Sequence, residues 1–395
     1  MSGLCRKTLC ILFFTSLFAV SVKAQIPGTG GIPSQDTVAT SILPAVVYTS
    51  DLGLLGAVLY NRVRYDTDVL GAGSLQPYIN STELSAELST KALAGVRFVY
   101  EQRETFDLPI RSRWSVKLQH DPAELFFGIG NDTPFEKSDW DSGYYDFGIY
   151  LAELSWRGRS TWYRSSHGNG YIDFIALTEV SYQKPKKNED RLFDLIEPFG
   201  YEGGWLNMIG AGLLWENRDN EVAASRGSRF EVTASYSPGL LLSDFHMLKL
   251  AGDYRQYITL PVPYFYPVLA GRVAGEWTTG DVPFWKLPFL GDQYTLRGYP
   301  WYRFRGDASV YYNLELRTWL YQFNTYNIRL GVHGFHDAGR VFSVSDDFSD
   351  IMKNHHRTVG AGVAVSAFSP YLIFRMDFGF SEDMFRLYMN MGYMF

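Results

Sequence analysis

The chain has 395 residues, an aromatic content of 16% and a net charge of −6 at pH 7. The acidic balance disfavours nucleic acid as a partner, because binding to phosphates requires a basic surface. No apolar run after Val20 reaches the roughly 20 residues that a membrane-spanning helix needs, so a helical membrane protein is also disfavoured.

Residues 1–24 have the pattern of a cleaved export signal. Two basic residues precede an apolar run over residues 9–20, and Val22-Lys23-Ala24 supplies the small residues of a cleavage site before Gln25. The apolar run is too short to cross a bilayer as a helix. The sequence therefore predicts a signal peptide and export of the rest of the chain.

Removal of this segment would change both cysteine content and charge. Cys5 and Cys10 both lie within it, so the mature chain would form neither disulfides nor thiolate metal sites. It also carries three positive charges and no acidic residue, which leaves 33 Lys+Arg against 42 Asp+Glu, a net charge of −9. Residues 25–43, rich in Gly and Pro, predict a short flexible lead-in, since independent domains need about 50 residues or more.

Residues 44–395 predict an all-β fold, a 16-stranded antiparallel transmembrane β-barrel. In a barrel only one face of each strand meets lipid, so many aromatic residues are compatible with the absence of long apolar runs. A soluble β-sandwich also alternates apolar and polar residues, but it seldom carries so many aromatics. The predicted strands cover residues 44–50, 55–65, 76–90, 92–104, 112–120, 145–156, 171–183, 205–217, 228–237, 247–260, 266–279, 308–320, 326–337, 357–367, 371–380 and 384–395.

The connections between these strands differ in length in a regular way. The four longest, residues 121–144, 184–204, 280–307 and 338–356, all follow odd-numbered strands. Long connections of bacterial barrels are extracellular when both chain ends are periplasmic. The segment 280–306 is therefore predicted to start outside the cell and to fold inward.

The last two strands alternate most clearly. Arg375 and Asp377 fall on the inward face, because a charge on the lipid face near the bilayer centre costs about 2–4 kcal/mol. Phe395 at the end of such a strand is either part of a sorting signal for barrel insertion or an ordinary interface aromatic. The predicted lipid-facing row consists of Phe385, Leu387, Met389, Met391, Tyr393 and Phe395.

Two short motifs suggest an ion pair inside the barrel. Leu296-Arg297-Gly298-Tyr299 lies in the longest connection, and Phe335-His336-Asp337-Ala338-Gly339 follows the alternation of the thirteenth strand, with Asp337 inward. A guanidinium in a partly dry interior needs a carboxylate, because an unpaired charge there costs several kcal/mol. Arg297 and Asp337 are therefore candidate partners.

The L-R-G-[YF] loop, followed by a strand and then F-x-D-x-G, is similar to the signature of the BamA/TamA-type outer-membrane assembly barrels, the bacterial surface antigen type. This superfamily includes two-partner secretion transporters. The similarity is densest over residues 205–395, and Gly291-Asp292 departs from the paired glycines that relatives more often carry. Further matching segments are Asn313-Leu314-Glu315-Leu316-Arg317, Gly360-Ala361-Gly362, Arg375-Met376-Asp377-Phe378-Gly379 and Phe395.

The resemblance implies that Arg297 reaches into the lumen and meets Asp337 as a latch that positions the loop. Glu315, Arg375 and Asp377 are inward candidates for the same network. The alternative is a static interior ion pair of the kind that lines many barrels. A second family-like segment, residues 216–227, is predicted to be a structural turn, because Asp and Asn stabilise turns through their own side chains.

The resemblance also implies a function in insertion or translocation of proteins, or of lipids, at the outer membrane of a Gram-negative cell. Expected partners are outer-membrane lipids and client outer-membrane proteins or surface lipoproteins. The wall would open at a weak seam between residues 44–50 and 384–395. Residues 25–43 are too few for a periplasmic POTRA module, so a passive pore or a scaffold for surface complexes is the alternative.

Catalytic and metal-binding motifs are not evident. The sequence contains neither a G-x-S-x-G elbow nor an H-E-x-x-H pair. His355-His356 falls in a long connection, and adjacent histidines without a second cluster bind metal weakly. The sequence therefore predicts no enzymatic activity, no cofactor and no metal site.

Overall fold

The computed structural model describes residues 38–50, 52–65, 78–166, 170–188, 190–240, 242–323, 328–343, 346, 350, 353–366 and 373–395. The predicted signal peptide and residues 25–37 of the predicted lead-in lie outside the described residues. The starts predicted for strands at residues 76, 326 and 371 lie outside them as well.

Sixteen strands close into one antiparallel barrel, which confirms the predicted fold class. Each wall strand pairs with its neighbours along the chain, and β18 returns to β1. The two short strands β12 and β13 form a separate sheet within one connection, so β11 pairs with β14. The strands are β1 Val38–Thr49, β2 Gly53–Tyr65, β3 Tyr78–Ser89, β4 Ala94–Gln102, β5 Ile110–Leu125, β6 Asp146–Arg164, β7 Tyr171–Lys186, β8 Gly204–Glu216, β9 Gly227–Pro238, β10 His246–Thr259, β11 Val268–Gly280, β12 Phe289–Leu290, β13 Phe304–Arg305, β14 Ala308–Phe323, β15 Ile328–Phe342, β16 His356–Ser366, β17 Ile373–Phe380 and β18 Phe385–Met391.

The alternation of side chains fixes which face of each strand looks inward. In β15, His333 and Asp337 are buried in the interior, whereas Leu330 and Val332 are exposed on the outer wall. Successive strand residues point to opposite faces, so one row meets lipid and the other lines the lumen. None of the helices in the described part of the chain is long and apolar enough to span a bilayer.

Several strand boundaries differ from the sequence prediction; β6, for example, ends at Arg164 rather than at residue 156. Two of the differences lie in the first and last strands. β1 begins at Val38 rather than Pro44 and pairs there with Arg64 of β2, so the barrel includes residues 38–43 of the predicted lead-in. β18 ends at Met391 instead of continuing to the last residue. Gly392 takes a φ of 81°, which lies outside the β region and turns the chain out of the strand.

The long connections pack together over the barrel end opposite the start of β1 and the end of β18, and this end is called the cap. It contains two short helices, Lys137–Ser142 and Leu192–Ile196, and a 3-10 turn at Phe284–Lys286. Edge-to-face contacts between Phe126, Phe193 and Phe284 join three of these connections. The buried core of the cap consists of Phe126, Phe147, Ile149, Phe193, Leu206, Met208, Phe245, Met247, Val282, Phe284 and Leu287.

The connection between β11 and β14 turns back from the cap into the lumen. Its two short strands pair in antiparallel register, with Phe289 opposite Arg305 and Leu290 opposite Phe304. The segment between them carries the L-R-G-Y motif and is called the inward loop, residues 291–303. A buried apolar cluster fixes the loop against the wall: Ala274, Leu290, Leu296, Tyr299, Phe304, Tyr311 and Val341.

The seam between β1 and β18 is the weakest junction of the wall. β1 pairs with β2 along its whole length, but its described pairing with β18 is the single position Thr49↔Tyr388. The backbone N–H of Ser50 also donates to the carbonyl of Leu387 at 3.2 Å. Because β18 ends at Met391, no strand in the described part of the chain lies opposite residues 38–45 of β1 on that side.

Candidate functional site

The inward loop begins with a turn that its own side chains hold. The carboxylate of Asp292 accepts hydrogen bonds from the backbone N–H groups of Tyr294 and Thr295 at 2.8 and 2.6 Å, and from the Thr295 hydroxyl at 2.8 Å. Burial nevertheless raises the pKa of Asp292 above its usual value. Asp292, where the sequence departs from the expected family motif, thus caps the turn.

Arg297 extends from this turn to the wall and forms a forked ion pair with Asp337. Its Nε donates to Asp337 Oδ2 and its Nη2 to Asp337 Oδ1, both at 2.8 Å. The backbone N–H of Arg297 adds a longer bond of 3.2 Å to the same carboxylate. Such paired, parallel hydrogen bonds fix both the distance and the plane of the guanidinium.

Further charges surround this pair. Nη1 of Arg297 donates to Glu315 Oε2 at 2.8 Å and lies 3.9 Å from Asp377 Oδ2. Arg375 in turn donates to Asp377 at 2.7 Å and lies 3.5 Å from Glu315. The structure thus brings the predicted supporting residues Glu315, Arg375 and Asp377 into one network with the predicted latch.

The network is dry. The side chains of Arg297 and Asp337 are both 0% exposed, and the guanidinium lies 3.5 Å from the ring centre of Phe335. Burial opposes the charge on Arg297, but the carboxylates of Asp337 and Glu315 outweigh this effect and hold the pKa of the guanidinium above its usual value. The arginine therefore stays charged and needs its acidic partners.

Two glycines let the loop backbone lie directly on the wall. Gly298 takes a φ of 116°, and a Cβ there would lie 3.1 to 3.2 Å from the backbone of Gly379 and Phe380. A Cβ on Gly379 would lie 2.8 Å from the carbonyl carbon of Arg297. Gly339, the last residue of the F-x-D-x-G motif, packs against Tyr311 of β14 in the same close way. These contacts explain why glycine suits both motifs.

The inward loop also contacts the strand that forms the seam. The hydroxyl of Tyr388 in β18 donates to the carbonyl of Tyr299 at 3.0 Å and accepts from the N–H of Gly298 at 3.4 Å. Ser381, just before β18, donates to the carbonyl of Gly298 at 2.8 Å. Tyr388 is also the β18 residue that pairs with Thr49. The inward loop and the seam therefore meet at one side chain.

Sequence reasoning missed several members of the network. His333 Nε2 lies 2.6 Å from Asp377 Oδ1, and Arg317 Nη1 lies 3.8 Å from Glu315 Oε1. Asn313 Nδ2 donates to the carbonyl of Thr295 at 2.6 Å. Strand alternation from Glu315 places Asn313 and Arg317 on the same inward face, which could have identified both.

The predicted terminal row divides into two parts. Phe385 and Met391 are exposed on the outer wall, and Leu387 and Met389 follow the same alternation. Tyr393 and Phe395 do not continue the row, because the turn at Gly392 directs them into the lumen. The prediction of a lipid-facing row up to Phe395 is therefore wrong for its last two members.

The other motifs occupy structural positions. In the β8–β9 turn, Arg218 forms two hydrogen bonds of 2.7 Å to Glu216, and Asp219 accepts from the N–H groups of Ser225 and Arg226. His356 stacks on Phe304 with the ring centres 3.7 Å apart. Within the described residues, no group of three or more His, Cys, Asp or Glu side chains is arranged to hold a metal ion.

A closed antiparallel barrel with an apolar outer wall and an inward loop defines a transmembrane β-barrel of the bacterial outer membrane. The sequence profile of the Omp85 superfamily domain matches residues 80–395, and the chain therefore belongs to that superfamily.

Two solved structures resemble the fold. A crystal structure of BamA from Haemophilus ducreyi lacking POTRA domains 1–3 has a TM-score of 0.59 and 16% identity, over 91% of this chain and 70% of that chain. CdiB from Escherichia coli has a TM-score of 0.58 and 10% identity, over 91% and 68%. At these identities the likeness concerns the fold. No curated protein matches the chain in sequence.

Proposed function

We propose that this barrel inserts or translocates proteins, or lipids, at the outer membrane, and that its wall opens between β1 and β18. The observation that carries the proposal is the single described pairing position at this seam, against full-length pairing of β1 with β2. Few backbone hydrogen bonds lower the cost of separating two strands, and Pro44 has no N–H to donate. An edge of this kind can pair with the strand of a client.

The filled lumen argues against a function as a passive pore. Leu296 and Arg297 are fully buried within the barrel. The cap, with its packed aromatic core, covers the end of the barrel from which the inward loop enters the lumen. Passage of solutes would require displacement of a loop that a charged network holds. We assign the network the role of a latch that keeps the loop in place while the seam, which it touches through Tyr388, opens or closes.

The test is a reversible cross-link of the seam. Ser50 and Leu387 lie in register, so Ser50→Cys with Leu387→Cys places two thiols across it. The two native cysteines, Cys5 and Cys10, both lie in the predicted signal peptide and are replaced by Ser for this experiment. In liposomes, the reduced protein is expected to accelerate folding of a urea-denatured outer-membrane barrel over empty liposomes. Oxidation should abolish the acceleration and reductant should restore it, while Ser50→Cys alone stays insensitive. Acceleration that survives oxidation would contradict the proposal.

A scaffold for surface complexes is the second candidate. The cap exposes large apolar side chains, with Leu195 at 66% and Phe199 at 56% exposure, and such groups suit a contact with another protein. Native membranes can decide between the two functions. Co-purification of unfolded barrel clients supports insertion, whereas a fixed surface protein that is lost on Phe199→Ser supports the scaffold.

A further inference from the structure

The outer wall has a groove in the half of the barrel nearest the cap. The groove has a volume of about 860 Å³, which lies in the range of sites for small ligands. Its floor consists of small outward-facing residues from four strands: Gly56 of β2, Ala86 of β3, Ala94 of β4 and Ala152 of β6.

Large apolar side chains border this floor. Leu88 lies between Gly56 and Ala94 in one row across the wall, and Leu118 adjoins Ala152 in the next row. Leu88 and Leu118 are 66% and 53% exposed. Because this face of the wall meets lipid, the chemistry that fits the groove is that of an acyl chain.

Polar side chains line the groove on the side of β5, β6 and β7. His120, Tyr150 and Lys184 lie opposite one another in these three strands, and the same row continues through Ala94 into the groove. The rings of His120 and Tyr150 stack with their centres 4.2 Å apart, and Nδ1 of His120 lies 3.4 Å from the carbonyl of Ile149. Ionisable residues are costly on a lipid-facing surface, so their presence indicates a polar ligand.

Lys186 of β7 extends toward the same place. It lies opposite Gly148 of β6, which precedes Tyr150 by two residues on the same face. A Cβ on Gly148 would lie 3.0 Å from the Cβ and 3.5 Å from the Cδ of Lys186, so the lysine stem lies across β6. The stem covers the wall and carries the ammonium group toward the stacked rings.

Positive charge exceeds negative charge in this corner of the wall. Residues 184–187 read Lys-Pro-Lys-Lys in a chain with a net charge of −6. Lys187 donates to the Glu202 carboxylate at 2.6 Å, and Lys184 donates to the Glu202 carbonyl at 2.9 Å. One carboxylate therefore faces two lysines, and Lys186 is exposed beside them. Clusters of lysines at a membrane surface bind anionic lipid head groups.

We propose that the groove binds one membrane lipid with a phosphate head group. The phosphate contacts Lys184, Lys186 and the Tyr150 hydroxyl, with His120 beside them, and the acyl chains cover the small residues of the floor. The long connections predict that the cap is extracellular, so this lipid belongs to the outer leaflet. The inference requires only that the wall lies in lipid, and it is independent of client insertion.

The test is native mass spectrometry of the full chain in detergent, with dioleoyl phosphatidate as the probe. One phosphatidate should stay bound, whereas dioleoylglycerol, which has the same chains but no phosphate, should not. Lys184→Ser with Lys186→Ser should weaken phosphatidate binding roughly thirtyfold, about fivefold for each lysine. Ala152→Trp, which fills the groove, should also weaken binding although both lysines remain.

The matched controls lie on the opposite side of the barrel. Lys353→Ser with Arg357→Ser removes two exposed positive charges at the cap end, and Ala361→Trp adds an indole to the outer face of β16. Both controls should leave phosphatidate binding unchanged.

Three results would overturn the inference. The first is equal binding of phosphatidate and dioleoylglycerol, and the second is phosphatidate binding that survives either the lysine variant or Ala152→Trp. The third is displacement of phosphatidate by an equal concentration of inorganic phosphate, which would show a site for the anion and not for a lipid. Loss of the acceleration in liposomes leaves the inference intact, because the binding assay contains no client.

Discussion

The lumen holds two segments that are not part of the wall, and they are held in opposite ways. The inward loop is fixed by Arg297, which is fully buried and forms 2.8 Å bonds to both Asp337 and Glu315. The tail, residues 392–395, is held by a backbone hydrogen bond of 2.8 Å from Gly392 to the carbonyl of Ile373, by a cation–π contact at Tyr393 and by the apolar packing of Met394 and Phe395. The inward loop is therefore held by buried ion pairs, whereas the tail is held without an ion pair among these contacts.

The difference predicts which segment can move. Removal of one partner from a buried ion network costs about 3–5 kcal/mol, because the remaining charge has no partner. A cation–π contact contributes about 0.5–2 kcal/mol. We therefore expect the loop to remain fixed in the folded barrel and the tail to be released more easily than the loop.

Arg297→Ala tests the anchored segment and has the largest expected effect. The substitution leaves buried carboxylates without their cation, so the free energy of unfolding should fall by about 3–5 kcal/mol while the barrel still forms. Protease should cut residues 280–306 faster than in the native chain, and urea titration in detergent should show the lower stability.

Arg226→Ala is the control for this experiment, since Arg226 is exposed on the β8–β9 turn. It should leave both readouts unchanged. Arg297→Lys should restore little, because an ammonium group cannot form the forked pair with Asp337. Native cleavage kinetics in Arg297→Ala would show that the ion pair is a static feature and not a latch.

A double-mutant cycle on Arg297 and Asp337 sharpens the same point. Asp337→Ala alone leaves the guanidinium with fewer acidic partners, whereas Arg297→Ala with Asp337→Ala removes both charges together. The loss in the double variant should be smaller than the sum of the single losses, with a coupling energy of about 1–3 kcal/mol in urea titrations. Additive losses would mean that Glu315 carries most of the interaction.

The sequence predicts the position of the inward loop better than that of the tail. Strand alternation and the resemblance to assembly barrels together bring Arg297 to Asp337, and alternation alone places Arg375 and Asp377 inward. Such positions are predictable because a charge on the lipid face is costly, so only one of the two possible orientations of the strand is favourable. The cap core is not predictable, since loops that meet there are far apart in sequence.

The tail shows where alternation fails. The apolar period of β18 continues without a break to Phe395, and it predicts a strand up to that residue. Gly392 interrupts the strand, and Met394 and Phe395 pack instead against Ala224, Tyr257 and Ala270 on the far side of the lumen. Local pattern carries no information about this distant partner. The glycine is the one local signal, since it tolerates the positive φ.

Gly379→Ala probes the loop without touching a charge, and its effect should be intermediate. The new Cβ would lie 2.8 Å from the carbonyl carbon of Arg297, so the loop backbone must shift. Overpacking of this kind costs about 1–3 kcal/mol, and cleavage of residues 280–306 should become faster. Gly334→Ala is the matched control, because its nearest neighbour would be 3.9 Å away. Equal cleavage in both variants would show that the loop does not depend on this close approach.

Tyr393→Leu probes the tail and should have the smallest effect. Leucine keeps an apolar side chain but loses the contact with Arg317, so release of the tail should become easier by about 0.5–2 kcal/mol while the stability of the barrel stays nearly unchanged. The alkylation rate of Met394→Cys reports release, and it should rise several-fold when Tyr393→Leu is added. Phe385→Leu, on the outer wall, should leave the rate unaltered. If Tyr393→Leu instead lowered barrel stability as much as Arg297→Ala does, the tail would be an anchored element like the loop, and the distinction between the two segments would be lost.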